Sequence, residues 1–238
     1  MSIWSRVISG AVGATIGGVI GGLMRAADRR GSDRESAPVD GTKQVAFTIG
    51  VVVLGAKMAK ADGVVTRDEV RAFREVFQIP PDEVRNVGRV FDMARKDASG
   101  YEPYARQVAR LFSDNSAVLE DLLHGLFHIA KADGVVHPAE IAFLKGVAEI
   151  FGFDELDFQR IRAHHMAADA ADPYVILGVP HDADDDEVRR AYRRLIREHH
   201  PDRLIAEGLP QEFIDLGSQK MAHINDAYER VRRQRGIA

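Results

Sequence analysis

The hydrophobic and polar positions of the chain divide it into stretches with different patterns. Residues 7–24 form a run without a charged side chain, and residues 31–42 are polar and rich in turn-forming residues. From residue 43 to 166 the apolar residues recur at the spacing of helices, without the sustained alternation of strands. A further helical unit follows. The pattern predicts an all-α protein with a segment of residues 1–30, a linker of residues 31–42 and two helical domains, residues 43–166 and 167–238.

The first stretch has the length and composition of a membrane-spanning helix. Its 18 residues would rise roughly 27 Å, about the thickness of a hydrocarbon core. Trp4 lies where an interfacial anchor is expected, and the basic residues that begin at Arg25 favour a cytoplasmic location for the rest of the chain. We therefore predict a transmembrane helix in lipid. The alternatives are a soluble glycine-rich tail and a signal peptide, and the lack of a small-x-small cleavage site before Arg25 argues against the latter.

The glycines of this segment are spaced as in helices that pair within membranes. Small residues recur at every fourth position and form two neighbouring stripes, which would let a second helix approach closely. The pattern predicts a homodimer formed through the transmembrane helix. The residues expected at its interface are Gly10, Gly13, Gly17, Gly18, Gly21 and Gly22.

The domain of residues 43–166 contains an internal repeat. The sequence AKADGVV occurs at residues 59–65 and again at residues 130–136. Each copy follows a predicted helix and precedes another, and glycine after aspartate is suited to the left-handed end of a helix. The repeat predicts a pseudo-symmetric helical bundle. Its core is expected to contain Phe73, Phe77, Phe127, Phe143 and Phe151.

Four carboxylates lie at matching positions in the two copies: Asp62, Glu69, Asp133 and Glu140. If they converged, their oxygens could bind a divalent cation. Helix capping explains the same residue types, because carboxylates accept hydrogen bonds from the free amides at helix starts. Both interpretations stay open, and no other cofactor is predicted. The acidic turns resemble those of the tellurite-resistance TerB family, an all-helical fold, over roughly residues 44–166.

The last unit contains an amphipathic helix followed by the tripeptide His200-Pro201-Asp202. Its apolar face is predicted to pack on a final helix, through Met221, Ile224, Ala227 and Tyr228. Pro201 is expected to end the first helix, so that His200 and Asp202 are exposed in a loop at the end of a helical hairpin. His199 is expected to be a packing residue. The opposite, solvent-facing side of the helix carries Arg190, Arg193, Arg194 and Arg197.

Three segments of this unit resemble the J-domain family of DnaJ-type co-chaperones: YVILGV, AYRRLIREHHPDR and INDAYERV. The tripeptide alone is a weak motif, but helices of the right kind flank it on both sides. The resemblance implies that the protein binds a DnaK-class chaperone and stimulates its ATP hydrolysis. It implies that His200, Pro201 and Asp202 contact that partner, while the four arginines attract an acidic surface.

The order of the three parts resembles membrane-anchored DnaJ-like co-chaperones of bacteria. This resemblance implies a single-pass protein of the bacterial inner membrane with most of the chain in the cytoplasm. The glycine/phenylalanine-rich and cysteine-bearing regions of general DnaJ proteins are absent, which makes independent client binding doubtful. The alternative is a metal-binding membrane stress scaffold or sensor in which the J-domain is secondary.

Composition and charge argue against several other classes of function. The 238 residues are 45% hydrophobic and carry a net charge of −4, so a globular core is expected and a general affinity for nucleic acid is not. The absence of cysteine excludes disulfides, thiolate metal sites and cysteine nucleophiles. His124 and His128 lie four residues apart, but no glutamate follows His124, so the metal-hydrolase motif is incomplete. The protein is therefore not predicted to be an enzyme.

Overall fold

The computed structural model describes residues 41–61, 71, 84–96, 100–132, 134, 136–166, 171–206 and 211–236, and the regular elements within these ranges are helices. The predicted transmembrane segment, with its six interface glycines, lies outside the described residues. Asp62, Glu69 and Asp133 lie outside them as well. Within the described ranges, no helix combines the length and the apolar character needed to cross a membrane.

Within the described residues, the first domain contains helices α1 to α6. Their bounds are α1 Gly41–Ala61, α2 Val84–Lys96, α3 Glu102–Leu111, α4 Ser116–Ala130, α5 Pro138–Ile150 and α6 Glu155–Ala163. Helix α4 is central, since it contacts α1, α5 and α6 on different sides. Its sequence, SAVLEDLLHGLFHIA, is mostly apolar around the whole helix, as expected of a helix without a solvent-facing side. Phe127, Phe143 and Phe151 lie in this core as predicted.

Helix α5 begins at a capping box. The side chain of His137 accepts a hydrogen bond at the start of the helix, and the His137 amide donates to Glu140 Oε2 at 2.8 Å. Pro138 occupies the first helical turn, where the lack of an amide proton costs nothing. Of the four carboxylates considered for a cation site, Glu140 is the one within the described residues, and it serves as a helix cap.

The second domain consists of helices α7 to α10. Their bounds are α7 Pro173–Leu177, α8 Asp185–Glu198, α9 Pro201–Ala206 and α10 Gln211–Arg235. Helix α8 starts at a capping box formed by Asp184 and Glu187. The short α7 ends at Gly178, whose φ of 65° is a left-handed conformation that glycine adopts without strain.

Helices α8 and α10 form the predicted antiparallel hairpin. The rings of Tyr192 and Tyr228 stack at 4.0 Å between centroids, and the Tyr192 hydroxyl donates to Asn225 Oδ1 at 3.0 Å. Towards the other end of α8, His199 meets Lys220, an earlier residue of α10, so the two helices run in opposite directions. Ile224 and Ala227 are buried in the core of this hairpin, as the sequence pattern indicates.

The two domains share a core, which the sequence analysis did not anticipate. Leu204 of α9 and Phe213 and Ile214 of α10 are buried with the apolar residues of the first domain. Phe213 packs on Gly125 of α4, and a Cβ atom placed at that glycine would lie 2.8 Å from Phe213 Cε1. Position 125 therefore has to lack a side chain for the two domains to meet in this way.

Candidate functional site

The tripeptide His200-Pro201-Asp202, called the tip below, begins after α8 and includes the first two residues of α9. The Arg203 amide donates to the His200 carbonyl at 2.9 Å, and the Asp202 amide donates to His200 Nδ1 at 3.2 Å. Pro201 is the first residue of α9, a position that suits its fixed φ. The tip is therefore the start of a short helix, where the sequence analysis predicted an open loop.

The tip is accessible to a partner protein. The His200 side chain is 48% exposed and the Asp202 side chain is 85% exposed. The first domain contacts the residues on either side of the tip but leaves these two side chains in solvent. An imidazole and a carboxylate are thus presented at the end of the hairpin, as the sequence analysis predicted.

The four arginines predicted to face water are exposed on α8 and form the surface called the arginine face: Arg190, Arg193, Arg194 and Arg197. They line a groove of about 670 Å³, together with the turn that follows α7 at Gly178–Pro180. Arg197 lies three residues before His200 in the chain. A surface with four exposed arginines would attract an acidic partner.

Behind the tip, five charged or polar side chains of both domains form what we call the buried ion cluster: Glu120, Asp121, Arg160, His199 and Lys220. Glu120, on α4, is 4% exposed and accepts two parallel hydrogen bonds from Arg160 of α6, at 2.7 and 2.8 Å. Lys220 of α10 lies 2.6 Å from Glu120 Oε1. Paired charges of this kind compensate one another for the loss of hydration.

Lys220 uses its three protons within the cluster. Its Nζ contacts Glu120 Oε1, lies 3.2 Å from Asp121 Oδ1 and lies 2.9 Å from His199 Nδ1. Because a lysine ammonium can only donate, His199 Nδ1 must be the acceptor, and the imidazole carries its proton on Nε2. That Nε2 lies 3.5 Å from Glu120 Oε1. His199 is thus neutral and is held between a cation and an anion.

The pKa shifts in the cluster follow from burial and from these contacts. Burial alone would raise the pKa of Glu120, but Lys220 and Arg160 together hold it well below its ordinary value. Burial raises the pKa of Asp121 to about 6, against the opposing effect of Lys220. Burial lowers the pKa of His199 to about 3, and Lys220 acts in the same direction.

A layer of histidines adjoins the cluster. His124 Nδ1 lies 2.8 Å from His165 Nε2, and the His165 ring stacks on Phe127 at 4.9 Å. The rings of His164 and His223 stack at 6.1 Å. Burial lowers the pKa of His165 to about 3 and places that of His164 well below the ordinary value. His124 and His164 are buried, and their lowered pKa values keep them neutral at pH 7, so they extend the domain interface beyond the cluster.

Sequence reasoning missed this interface. It predicted the burial of His199 but not its polar partners, because Glu120 is distant from His199 in the chain. Across the described residues, no group of three or more histidine, aspartate or glutamate side chains is arranged to hold a metal ion. The divalent-cation site stays a prediction, since most of its residues lie outside the described ranges.

Comparison with known proteins identifies both domains. A family model described as tellurite resistance protein TerB matches residues 48–163, and one described as DnaJ domain matches residues 172–235. Relatives named co-chaperone protein DjlA include those of Photobacterium profundum, 30% identical over 80% of this chain and 78% of the relative, and Coxiella burnetii, 31% identical over 82% and 79%. The chain belongs to the DjlA co-chaperone family. No solved structure matches it.

Membership of the DjlA family confirms the predicted order of a TerB domain followed by a J-domain. The same relationship extends to the DjlA protein of Shewanella oneidensis, which is 31% identical over 80% of this chain and 78% of its own length. Family membership and the DnaJ domain together support a role as a co-chaperone of a DnaK-class chaperone. The buried ion cluster is then an interface between the TerB domain and the J-domain.

Proposed function

We propose that the protein recruits a DnaK-class chaperone and stimulates its ATP hydrolysis through the tip and the arginine face. The observation that carries this proposal is the exposure of His200 and Asp202 at the end of a hairpin whose outer side holds four exposed arginines. Neither surface is covered by the TerB domain. The protein is proposed to act on a partner's hydrolysis and not to catalyse a reaction itself.

The two surfaces have different parts in this mechanism. The arginine face attracts an acidic surface of the chaperone and speeds encounter. A cluster of exposed positive charges attracts negative charges over distances up to about the Debye length. The imidazole of His200 and the carboxylate of Asp202 then make short-range polar contacts. Stimulation requires that these contacts favour the hydrolysis-competent state of the chaperone over its other states.

Steady-state ATP hydrolysis by a DnaK-class chaperone, measured with the full chain, tests the proposal. The full chain should raise the rate, and His200→Gln should abolish the increase. His181→Gln is the matched control, since His181 is an exposed histidine of the J-domain that precedes α8, whereas His200 follows it. Equal stimulation by the parent chain and His200→Gln would refute the proposal.

The membrane anchor is part of the same proposal and rests on the sequence. Residues 7–24 would place the protein in the inner membrane and leave the TerB domain and the J-domain in the cytoplasm, beside the chaperone. Pairing of two anchors through their glycine stripes would form the dimer. Replacing Gly17 and Gly18 by leucine should weaken the signal of a membrane two-hybrid assay, and an unchanged signal would exclude the stripe as the interface.

A further inference from the structure

The TerB domain holds the tip from both sides. On the N-terminal side, His199 is 1% exposed and contacts Lys220 of α10 and Glu120 of α4. On the C-terminal side, Leu204 is 1% exposed within the TerB-domain core, and Arg203 Nη2 lies 3.4 Å from Asn115 Oδ1. The three tip residues therefore lie between two fixed points only a few residues apart. A short chain segment fixed at both ends has few conformations.

Glu120 is the centre of the contacts on the N-terminal side. Its two carboxylate oxygens accept from Arg160, and one of them also contacts Lys220. Arg160 in turn packs on the J-domain, because a Cβ atom placed at Gly178 would lie 3.1 Å from Arg160 Cδ. One carboxylate thus connects α6, α10 and, through Lys220 and His199, the end of α8. These contacts leave the tip and the arginine face untouched.

We propose that Glu120 of the TerB domain is a positioning residue for the tip of the J-domain. Its carboxylate holds Lys220 and, through Lys220, His199, and so fixes the direction in which the neighbouring His200 and Asp202 face the chaperone. The TerB domain is then a structural part of the chaperone-docking element. This inference rests on the proposed function, because it assumes that the tip contacts the chaperone.

Positioning and direct contact predict different kinetic effects. A tip that spends only a fraction of its time in the docking orientation binds with an affinity reduced by that fraction, so an occupancy of about one tenth raises the half-saturating concentration about tenfold. Once bound, the tip still carries His200 and Asp202, so the maximal stimulation should be retained. Loss of His200 itself removes the contact and lowers the maximum.

Lys220→Met in the full chain is the sharpest test. It removes the cationic link to the J-domain but leaves Glu120 paired with Arg160, so the TerB domain keeps its own ion pair. We expect the concentration of the protein that half-saturates stimulation of the chaperone to rise about tenfold, with the maximum within twofold of the parent. The combination with Glu120→Gln weakens the Arg160 pair as well, but it should add little to the shift in half-saturation, because Lys220→Met has already removed the link from Glu120 to His199.

Two further variants and a charge-matched control separate positioning from general destabilisation. Gly125→Ala changes no charge but forces Phe213 away from α4. It should therefore raise the half-saturating concentration, as Lys220→Met does. Leu144→Ala removes core volume from α5, away from the J-domain, and should lower the denaturation midpoint without moving half-saturation. Lys145→Met, which breaks the exposed pair with Glu155 and removes the same charge as Lys220→Met, is the charge-matched control and should have no effect.

The outcomes distinguish this proposal from the one on which it rests. If the parent chain stimulates the chaperone and His200→Gln does not, but folded Lys220→Met half-saturates at the parental concentration, the positioning role of Glu120 is wrong and the proposed function stands. If the parent chain itself gives no stimulation, the proposed function fails and this inference fails with it. A shift in half-saturation equal to that of Leu144→Ala also overturns the positioning role.

Discussion

His199 and His200 are neighbours in the chain and belong to opposite environments. His200 is half exposed at the tip, whereas His199 is buried against a lysine of its own domain and a glutamate of the other. Charges near His200 act through water, at long range and subject to salt. Charges near His199 act at hydrogen-bond distance in a buried interface. In the proposed function, the exposed tip and the arginine face meet the chaperone, whereas the buried ion cluster fixes the position of the tip.

The largest expected effect comes from removing the anion of the buried ion cluster. Glu120→Ala leaves Arg160 with its longer contact to Asp157 and Lys220 with its contact to Asp121, and removing the shared anion of a buried pair in this way costs about 3–5 kcal/mol. The free energy of unfolding, from urea denaturation of the full chain, measures the loss. Glu155→Ala removes an exposed partner of Lys145 and should leave that free energy unchanged. Equal effects of the two variants would show that the cluster is no more important than a surface pair.

A second prediction concerns acid pH, which should lower the free energy of unfolding through the histidines at the domain interface. The pKa of His199 and that of His165 are lowered by burial to about 3, so these rings stay neutral in the folded protein while the unfolded chain takes up protons below about pH 6.5. Their contribution to stability is therefore complete above pH 6.5 and is lost as the pH falls towards 3. The lowered pKa values of His124 and His164 act in the same direction.

Asp121 opposes this loss. Its pKa, raised by burial to about 6, means that the folded protein binds a proton that the unfolded chain binds only near pH 4, so acidification stabilises through this group. The histidines outnumber it, and the net free energy of unfolding should decrease between pH 7 and pH 5. Asp121→Asn should make the decrease steeper, as measured by urea denaturation at several pH values. A flat profile in both proteins would contradict the predicted protonation states.

The sequence predicted the tip and the hairpin because their signals are local. Ile224 and Tyr228 lie one helical turn apart in one helix, Tyr192 lies on the inner face of the other, and the tripeptide is contiguous, so one segment at a time is enough to place them. The buried ion cluster depends on a contact between Asp121 and Lys220 across 99 positions of the chain. One signal could have indicated it: α4 is apolar around its whole circumference, so Glu120 and Asp121 had to be buried and needed cationic partners.

The predictions of a membrane segment and a cation site stay predictions for a different reason. Their signals in the sequence are just as local, a glycine-patterned apolar run and two acidic turns, but the structure describes neither segment. For Glu140, the described member of the acidic set, capping geometry accounts for the residue without a metal. Glutamate therefore serves as a helix cap at Glu140 and as an ion-pair partner across the domain interface at Glu120.

The smallest expected effect is on the rate of association and comes from the exposed arginine face. Arg194→Gln removes one charge of the arginine face and should slow association with a DnaK-class chaperone about two- to fivefold at low salt, because exposed charges contribute mainly to the encounter rate. The difference from the parent should shrink as ionic strength rises and the Debye length shortens. Stopped-flow association rates at several salt concentrations measure it, with Arg106→Gln, an exposed arginine of the TerB domain, as the control. A loss that persists at high salt would mean that Arg194 makes a short-range contact and belongs with the tip.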